Sequence, residues 1–179
     1  MMDLSKYTAS YDHGPLLRRL AWIFFSKLCL DNFLPIPSIF KVKLLRIFGA
    51  SIGNAVVIKP NVQVKYPWNL SIGDNTWIGE HVWIDNLGNV SIGSNVCISQ
   101  GAYLLTGNHD YSLESFDLIV KPIIIENGAW IGAQATVCPG VVLEEGAVLT
   151  VASLATGRLE AYGIYQGIPA KLKKHRKFQ

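Results

Sequence analysis

From Ile52 onward an apolar residue recurs every six positions. The set runs Ile52, Ile58, Val64 and Leu70, then slips by two and restarts at Ile72, Ile78, Ile84 and Val90. A second slip restarts it at Ile92, Ile98 and Leu104. After an insertion it resumes at Ile125, Ile131, Val137, Leu143, Leu149 and Ala155. A glycine often follows the apolar residue, as in Ile52-Gly53, Ile72-Gly73, Ile92-Gly93 and Ile131-Gly132. A small or β-branched residue usually sits four places after it, as at Val56, Thr76, Ala102, Ala135 and Ser153. A period of six fits neither the 3.6 of a helix nor the alternation of a simple strand. It marks a hexapeptide β-helix, in which each six residues make one short strand and one turn.

Three hexapeptides close one triangular coil of about 18 residues. Ile52 to Ile72 and Ile72 to Ile92 are each 20 apart, Ile125 to Leu143 is 18, and Ile92 to Ile125 is 33. The last figure is one coil plus an insertion of 15. The expectation is an all-β prism of about five coils, roughly 24 Å long at the usual strand spacing. The period leaves its handedness open.

Residues 15–48 follow a different rule. Leu16, Leu17, Leu20, Ile23 and Phe24, then Ile39, Val42, Leu45 and Phe48, recur at three- and four-residue spacing with Arg18, Arg19, Lys27, Lys41, Lys43 and Arg46 between them. This pattern predicts two helices broken at Pro35-Ile36-Pro37. Their expected role is to cap one end of the solenoid, since repeat stacks need capped ends. An amphipathic basic helix also suits peripheral association with a membrane surface. The organisation expected is a helical cap over 1–51, a β-helix over 52–160 with an inserted loop at 110–124, and a terminal segment with a basic tail over 161–179.

Composition narrows the classes. Half the residues are apolar and 16% are charged, which excludes a disordered chain. The net charge of +3 hides a local excess: Lys171, Lys173, Lys174, Arg176 and Lys177 supply five positive charges near the end, leaving −2 elsewhere. Nucleic acid is therefore not an expected partner. Cys29, Cys97 and Cys138 are odd in number and widely spaced, and Met1–Lys6 lacks the features of a signal peptide. A cytoplasmic location is expected. The most apolar run, Leu20 to Ser26, is seven residues, against the roughly 20 needed to span a bilayer.

The isoleucine-glycine hexapeptides, Thr106-Gly107-Asn108-His109-Asp110, Ala129-Trp130-Ile131-Gly132 and Gly167-Ile168-Pro169-Ala170-Lys171 resemble those of the left-handed β-helix acyltransferases. Within that group, Leu44–Ala50 and Tyr66-Pro67-Trp68-Asn69-Leu70 are similar to the colanic-acid-biosynthesis type of acetyltransferase. The resemblance implies a left-handed parallel β-helix, a homotrimer, acetyl-CoA as co-substrate and a hydroxyl or amine acceptor. The acceptor it implies is a sugar or lipid-linked saccharide.

His109 is the expected general base. It lies where the solenoid is interrupted, a place where side chains leave the stack and meet a partner, and an imidazole accepts protons at neutral pH. Asp110 is expected either to orient that ring or to close an Asx turn, and Asn108 shares the ambiguity. His81, Asp85 and Asn86 are expected at a corner that binds substrate, if that edge faces a neighbour's inserted loop. Tyr66, Trp68 and Trp83 suit either sugar stacking or a packed corner. On the donor side the resemblance implies Trp130, Gly132, Ala133, Ala152 and Ser153 along an edge groove, with a backbone N–H at Trp130 or near the inserted loop for the oxyanion. Pro169, Lys171 and Lys174 would meet the nucleotide end. Thr150-Val151-Ala152-Ser153 stands where the family often has Gly-Ala-Gly-Ser. No metal is expected, because the four histidines do not stack one coil apart. N-acetylation of an amine, and a non-catalytic β-helix scaffold, are the alternatives.

Overall fold

The computed structural model describes residues 2–7, 11 and 13–177. The six-residue period becomes a parallel β-helix with three faces. Face 1 stacks Ser51–Ile52, Leu70–Ile72, Val90–Ile92, Ile123–Ile125 and Val142–Leu143. Face 2 stacks Val57–Ile58, Trp77–Ile78, Cys97–Ile98, Trp130–Ile131, Val148–Leu149 and Gly163–Gln166. Face 3 stacks Gln63–Val64, Trp83–Asp85, Tyr103–Leu105, Thr136–Val137 and Leu154–Ala155. Two faces carry five strands, as the period predicts, and face 2 gains a sixth parallel strand. Lys171–His175 then pairs antiparallel to that strand and ends the sheet.

Register is in phase along the parallel strands. Ile52 pairs Ile72, Ile78 pairs Ile98, and Ile131 pairs Leu149, so each aliphatic column runs inward along the axis. Ile84, Leu104, Ile131, Val137, Leu143 and Leu149 are fully buried. Burying each such side chain contributes about 1.5–3 kcal/mol before ordering costs. The glycine after the inward residue has a contact reason. A Cβ on Gly53, Gly73 or Gly93 would lie 2.4–2.5 Å from a side-chain oxygen of the next coil and 2.6–2.8 Å from a backbone nitrogen there. The tight left-handed turn falls two residues later, at φ 53° for Ala55, 55° for Asn75 and 58° for Asn95.

The two-residue slips have one location. Leu70–Ile72 and Val90–Ile92 are three-residue strands with both ends pointing inward, and the extra residues lie in the corner from face 3 to face 1. That corner holds the 3-10 turn Pro67–Asn69 in the first coil, Asn86–Asn89 in the second and the insertion in the third. The same corner thus departs from six-residue spacing three times in succession.

Helices α1 (Leu16–Cys29) and α2 (Ser38–Ile47) cover the start of the solenoid. The buried Trp22 of α1 donates its indole N–H to the Val64 carbonyl at 2.9 Å. Lys41 of α2 is fully buried, and its ammonium donates to the carbonyls of Ile58 and Lys59 at 3.2 and 2.9 Å. Burial lowers the Lys41 pKa from its ordinary value.

Candidate active site

The insertion folds back on itself. Gly107–His109 pairs antiparallel with Leu118–Val120, so His109 stands in a short hairpin strand. Its partner across the ladder is Leu118. The His109 ring is half-buried and lies flat on Phe116, with centroids 4.3 Å apart and planes 4° from parallel. Nδ1 sits 2.8 Å from the Phe116 carbonyl oxygen. A carbonyl only accepts, so in the neutral ring Nδ1 carries the hydrogen and Nε2 carries the lone pair.

Asp110 does not hold the ring. Its Oδ1 accepts from the Ser112 N–H at 2.9 Å and from the Ser112 hydroxyl at 2.5 Å, closing an Asx turn. Those hydrogen bonds keep its carboxyl below the ordinary range. Asn108 accepts from the His109 N–H through its own Oδ1 at 2.8 Å, which stiffens the hairpin strand.

An unforeseen element reaches this corner. Residues 3–7 meet the hairpin: the Asp3 N–H donates to the Glu114 carbonyl at 2.8 Å, and Lys6 pairs with Glu114 at 2.5 Å. They bring the Tyr7 ring to 5.8 Å from His109. Tyr11 shares a side-chain hydrogen bond with Tyr66; burial, then that bond, push its pKa up to about 12. Tyr103 donates to Asp85 Oδ2 at 3.3 Å, and burial with the nearby carboxylate pushes its phenol up to about 12. Both phenols are therefore protonated donors near neutrality. Asp85 also pairs with Lys65, whose Nζ is 2.9 Å from Oδ1. The one sequence signal for this strap is its aromatic content, Tyr7, Tyr11 and His13 in seven residues outside the repeat.

Several expected site residues are committed elsewhere. Asn86 is fully buried; its amide accepts from the Tyr66 N–H at 3.0 Å and donates to the Tyr66 carbonyl at 2.6 Å, which leaves no edge for substrate. His81 occupies a corner, as expected, with a φ of 57°. That corner, between faces 2 and 3, also carries Gly101, Gln134 and Ala152, so His81 and His109 sit at different corners of one chain. Tyr66 stacks on Trp68 at 4.9 Å with Arg18 over the indole, a packed corner. Trp83 stacks on Tyr103 at 4.6 Å and remains part-exposed.

On the donor side, Gly132 is buried, and its N–H donates to the Leu149 carbonyl. A Cβ there would sit 2.5 Å from the Val151 nitrogen, so the close approach of the next coil by itself accounts for the glycine. Ser153 is also buried; its hydroxyl meets Thr150 and accepts from the Gly167 N–H at 3.0 Å, anchoring the terminal segment. The Trp130 N–H donates to the Ala147 carbonyl and is not free for an oxyanion. Ala133 and the exposed Ala152 do border one corner, where the Ala152 N–H meets the Ala133 carbonyl. The Trp130 ring lies on the outside of face 2, 46% exposed, with its indole N–H on Ser99 Oγ at 2.9 Å.

The basic tail comes to that same outer side. Gln166 pairs Lys171 and Ile164 pairs Lys174, with a bulge between. Directly opposed residues share a face of a sheet. Because the bulge absorbs Lys173, both Lys171 and Lys174 join Ile164 on the face that carries Trp130. Pro169 lies exposed just ahead of them. Among the described residues no cluster of three or more His, Cys, Asp or Glu is placed to hold a metal.

Known proteins share this fold. The model for the hexapeptide repeat of succinyl-transferase matches residues 69–106 and 122–150, and the stretch it skips is the hairpin that carries His109. Over 133 residues the chain is 40% identical to WcaF of Escherichia coli (strain K12), whose name assigns it to colanic acid biosynthesis as an acetyltransferase; the match covers 74% of this chain and 73% of that one. It is 27% identical over 132 residues to the galactoside O-acetyltransferase of the same strain, covering 72% and 65%. A hexapeptide-repeat acetyltransferase of Vibrio cholerae O1 biovar eltor, complexed with acetyl coenzyme A, has the same fold, with a TM-score of 0.81 at 20% identity over 99% of this chain and 100% of that one. Taken with the coil register and the inserted hairpin, the identity to WcaF shows that the chain belongs to the hexapeptide-repeat acetyltransferases.

Proposed function

We propose that the protein transfers acetyl from acetyl-CoA to a sugar hydroxyl in the synthesis of an exopolysaccharide or surface polysaccharide. The observation that carries this reading is the hydrogen bond from His109 Nδ1 to the Phe116 carbonyl, which leaves Nε2 as a base. His109 Nε2 takes the proton of the acceptor hydroxyl as its oxygen forms a bond to the acetyl carbon. The carbon–sulfur bond of the thioester then breaks, and His109 returns the proton to the thiolate. Transfer is direct, with no acetyl-enzyme intermediate. Phe116 holds the ring plane, while Tyr7, Tyr11 and the Tyr103–Asp85 pair border the space for the acceptor. Asn108 and Asp110 shape the hairpin that presents the base.

Trp130, Ala133 and Ala152 line the donor edge, and Pro169, Lys171 and Lys174 meet the nucleotide end, the lysines as point charges for phosphate. Donor edge and base lie at different corners of one chain, which favours a homotrimer whose sites form between neighbours, with His81 facing the adjacent hairpin. The name of WcaF and the galactoside O-acetyltransferase match favour a saccharide hydroxyl as acceptor.

The test is a screen of sugar and amine acceptors that follows thiol release from acetyl-CoA. Release with sugars that lack amines, reduced about 10²–10⁴-fold by His109→Ala in a chain with an unchanged melting temperature, is expected. Turnover confined to amines would replace the O-transfer reading, and normal turnover by His109→Ala would remove the base. Failure of acetyl-CoA to bind in a titration would leave only a scaffold.

A further inference from the structure

An ordinary surface helix turns its apolar stripe to the core and its charges to water. Helix α1 inverts this. Leu17, Leu20, Phe24 and Leu28 follow one another at three- and four-residue spacing and are 51–82% exposed, whereas the inner side is anchored by Trp22 and Arg18. Phe33 and Leu34 in the link to α2 are exposed as well, and α2 adds Ile39, Phe40 and Ile47. So large a set of exposed aliphatic and aromatic side chains marks a docking surface.

Charge selects the occupant. Residues 15–48 hold six basic residues, Arg18, Arg19, Lys27, Lys41, Lys43 and Arg46, against the single acid Asp31, a net of +5. Among the described residues, Lys27 is the one of the six that pairs with a carboxylate; Arg18 and Arg46 donate to backbone carbonyls that leave their charge in place, while Lys41 is fully buried and does not face the surface. Residues 52–170 carry Lys59, Lys65, Lys121 and Arg158 against ten acids, a net of −6. The cap is thus a basic and apolar end on a stack of acidic coils, and the other basic stretch, Lys171–Lys177, lies at the opposite end of the face 2 sheet. Packing the cap on the cap of a second copy would set +5 against +5. An anionic lipid surface satisfies both features at once, because it takes apolar side chains below the headgroups and cations at their level. Among the described residues no helix is long and apolar enough to cross a membrane, so the contact lies along the surface.

We propose that the helical cap docks the protein on an anionic lipid bilayer, with α1, about 21 Å long, lying in the headgroup plane. One consequence rests on the acetyl-transfer reading above. A groove of about 410 Å³ opens between α1 and face 3, bordered by Leu20, Arg19, Lys65 and Trp83. Lys65 and Trp83 are the residues that touch Asp85 and Tyr103 beside the acceptor space. An acceptor saccharide carried on a lipid phosphate would reach His109 along this groove while its tail stays in the bilayer.

The experiment is co-sedimentation of the full chain with vesicles of phosphatidylglycerol and phosphatidylcholine, against phosphatidylcholine alone, at low and high salt. It needs neither acetyl-CoA nor acceptor, so it reads docking separately from catalysis. Binding to the anionic vesicles that falls with salt is expected. It should drop at least about tenfold in Leu17→Glu/Phe24→Glu and severalfold in Lys43→Glu, with unchanged circular dichroism and unchanged turnover of a water-soluble acceptor. Absence of anionic-vesicle binding by the natural chain, or equal binding by the substituted chains, would overturn the proposal. So would a fall in oligomeric mass on substitution, which would mean the face is buried against the acidic prism of another copy.

Discussion

At the corner from face 1 to face 2, successive coils are riveted in the same way. The N–H groups of Asn54, Asp74 and Ser94 donate to the side-chain oxygens of Asp74, Ser94 and Asn127, each one coil on, at 2.6, 3.0 and 2.8 Å. At the corner from face 3 to face 1, nothing repeats. Tyr66 and Trp68 stack there in the first coil, Asn86 clamps the Tyr66 backbone from the second, and the third sends out the His109 hairpin. Both corners hang on the same aliphatic columns. A solenoid lets one edge vary because each coil is held by its neighbours through the other two edges and the inner columns. On the proposed reading the base stands at the corner where the repeat is loosest, while the bonds that tie coil to coil concentrate where it is tightest.

Substitutions at the two corners should fail in opposite ways. His109→Ala carries the largest expected effect, a loss of about 10²–10⁴ in turnover with no shift in melting temperature. Gly93→Ala is its counterpart at the riveted corner. Its Cβ would lie 2.5 Å from Asn127 Oδ1 and 2.8 Å from the Asn127 nitrogen, so the next coil must move. A destabilisation of about 1–3 kcal/mol is expected by chemical denaturation, with turnover per folded molecule preserved. If Gly93→Ala instead abolished turnover in a fully folded chain, the division between the corners would fall.

Asn127→Ala probes the same rivet without a clash. It removes the acceptor for the Ser94 N–H in an exposed setting, and a loss of about 0.5–1 kcal/mol is expected from the denaturation midpoint. Turnover should not change. A loss of several kcal/mol would show that the corner bonds act as a cooperative ladder rather than singly.

The division also explains which features could be read in advance. Inward columns leave a period of six, and the two-residue slips at Leu70–Ile72 and Val90–Ile92 mark the irregular corner in the sequence itself. The expectation for His109 has the same origin, since it borders the interruption. Asn86, Gly132 and Ser153 are polar or small beside apparent site positions, yet each is spent on the backbone of an adjacent coil, a partner 14 to 20 residues away. The strap that lays Tyr7 near His109 is a contact across about 100 residues with no periodic signal. The tail shows how one residue decides a face. A regular strand would put Lys171 and Lys174 on opposite sides, and the bulge at Lys173 brings both to Trp130's side.

The smallest expected effect tests whether the Asp110 turn supports the hairpin by its charge. Hydrogen bonds from Ser112, then the Leu113 N–H, hold the Asp110 carboxyl below its ordinary value, so the folded hairpin binds this proton less readily than the unfolded chain does. The stabilisation is therefore complete above the ordinary carboxylate range and is lost as pH falls through it toward the lowered value. Asp110→Asn keeps an oxygen that accepts from Ser112 but has no proton to gain. Melting temperatures should place the natural chain slightly above Asp110→Asn near pH 7, with the difference closing as pH falls from about 5 to 3. A difference that is flat with pH would assign the turn to shape alone. A difference that widens in acid would reverse the sign and remove the charge from the account, leaving the Phe116 carbonyl and ring as the support of His109.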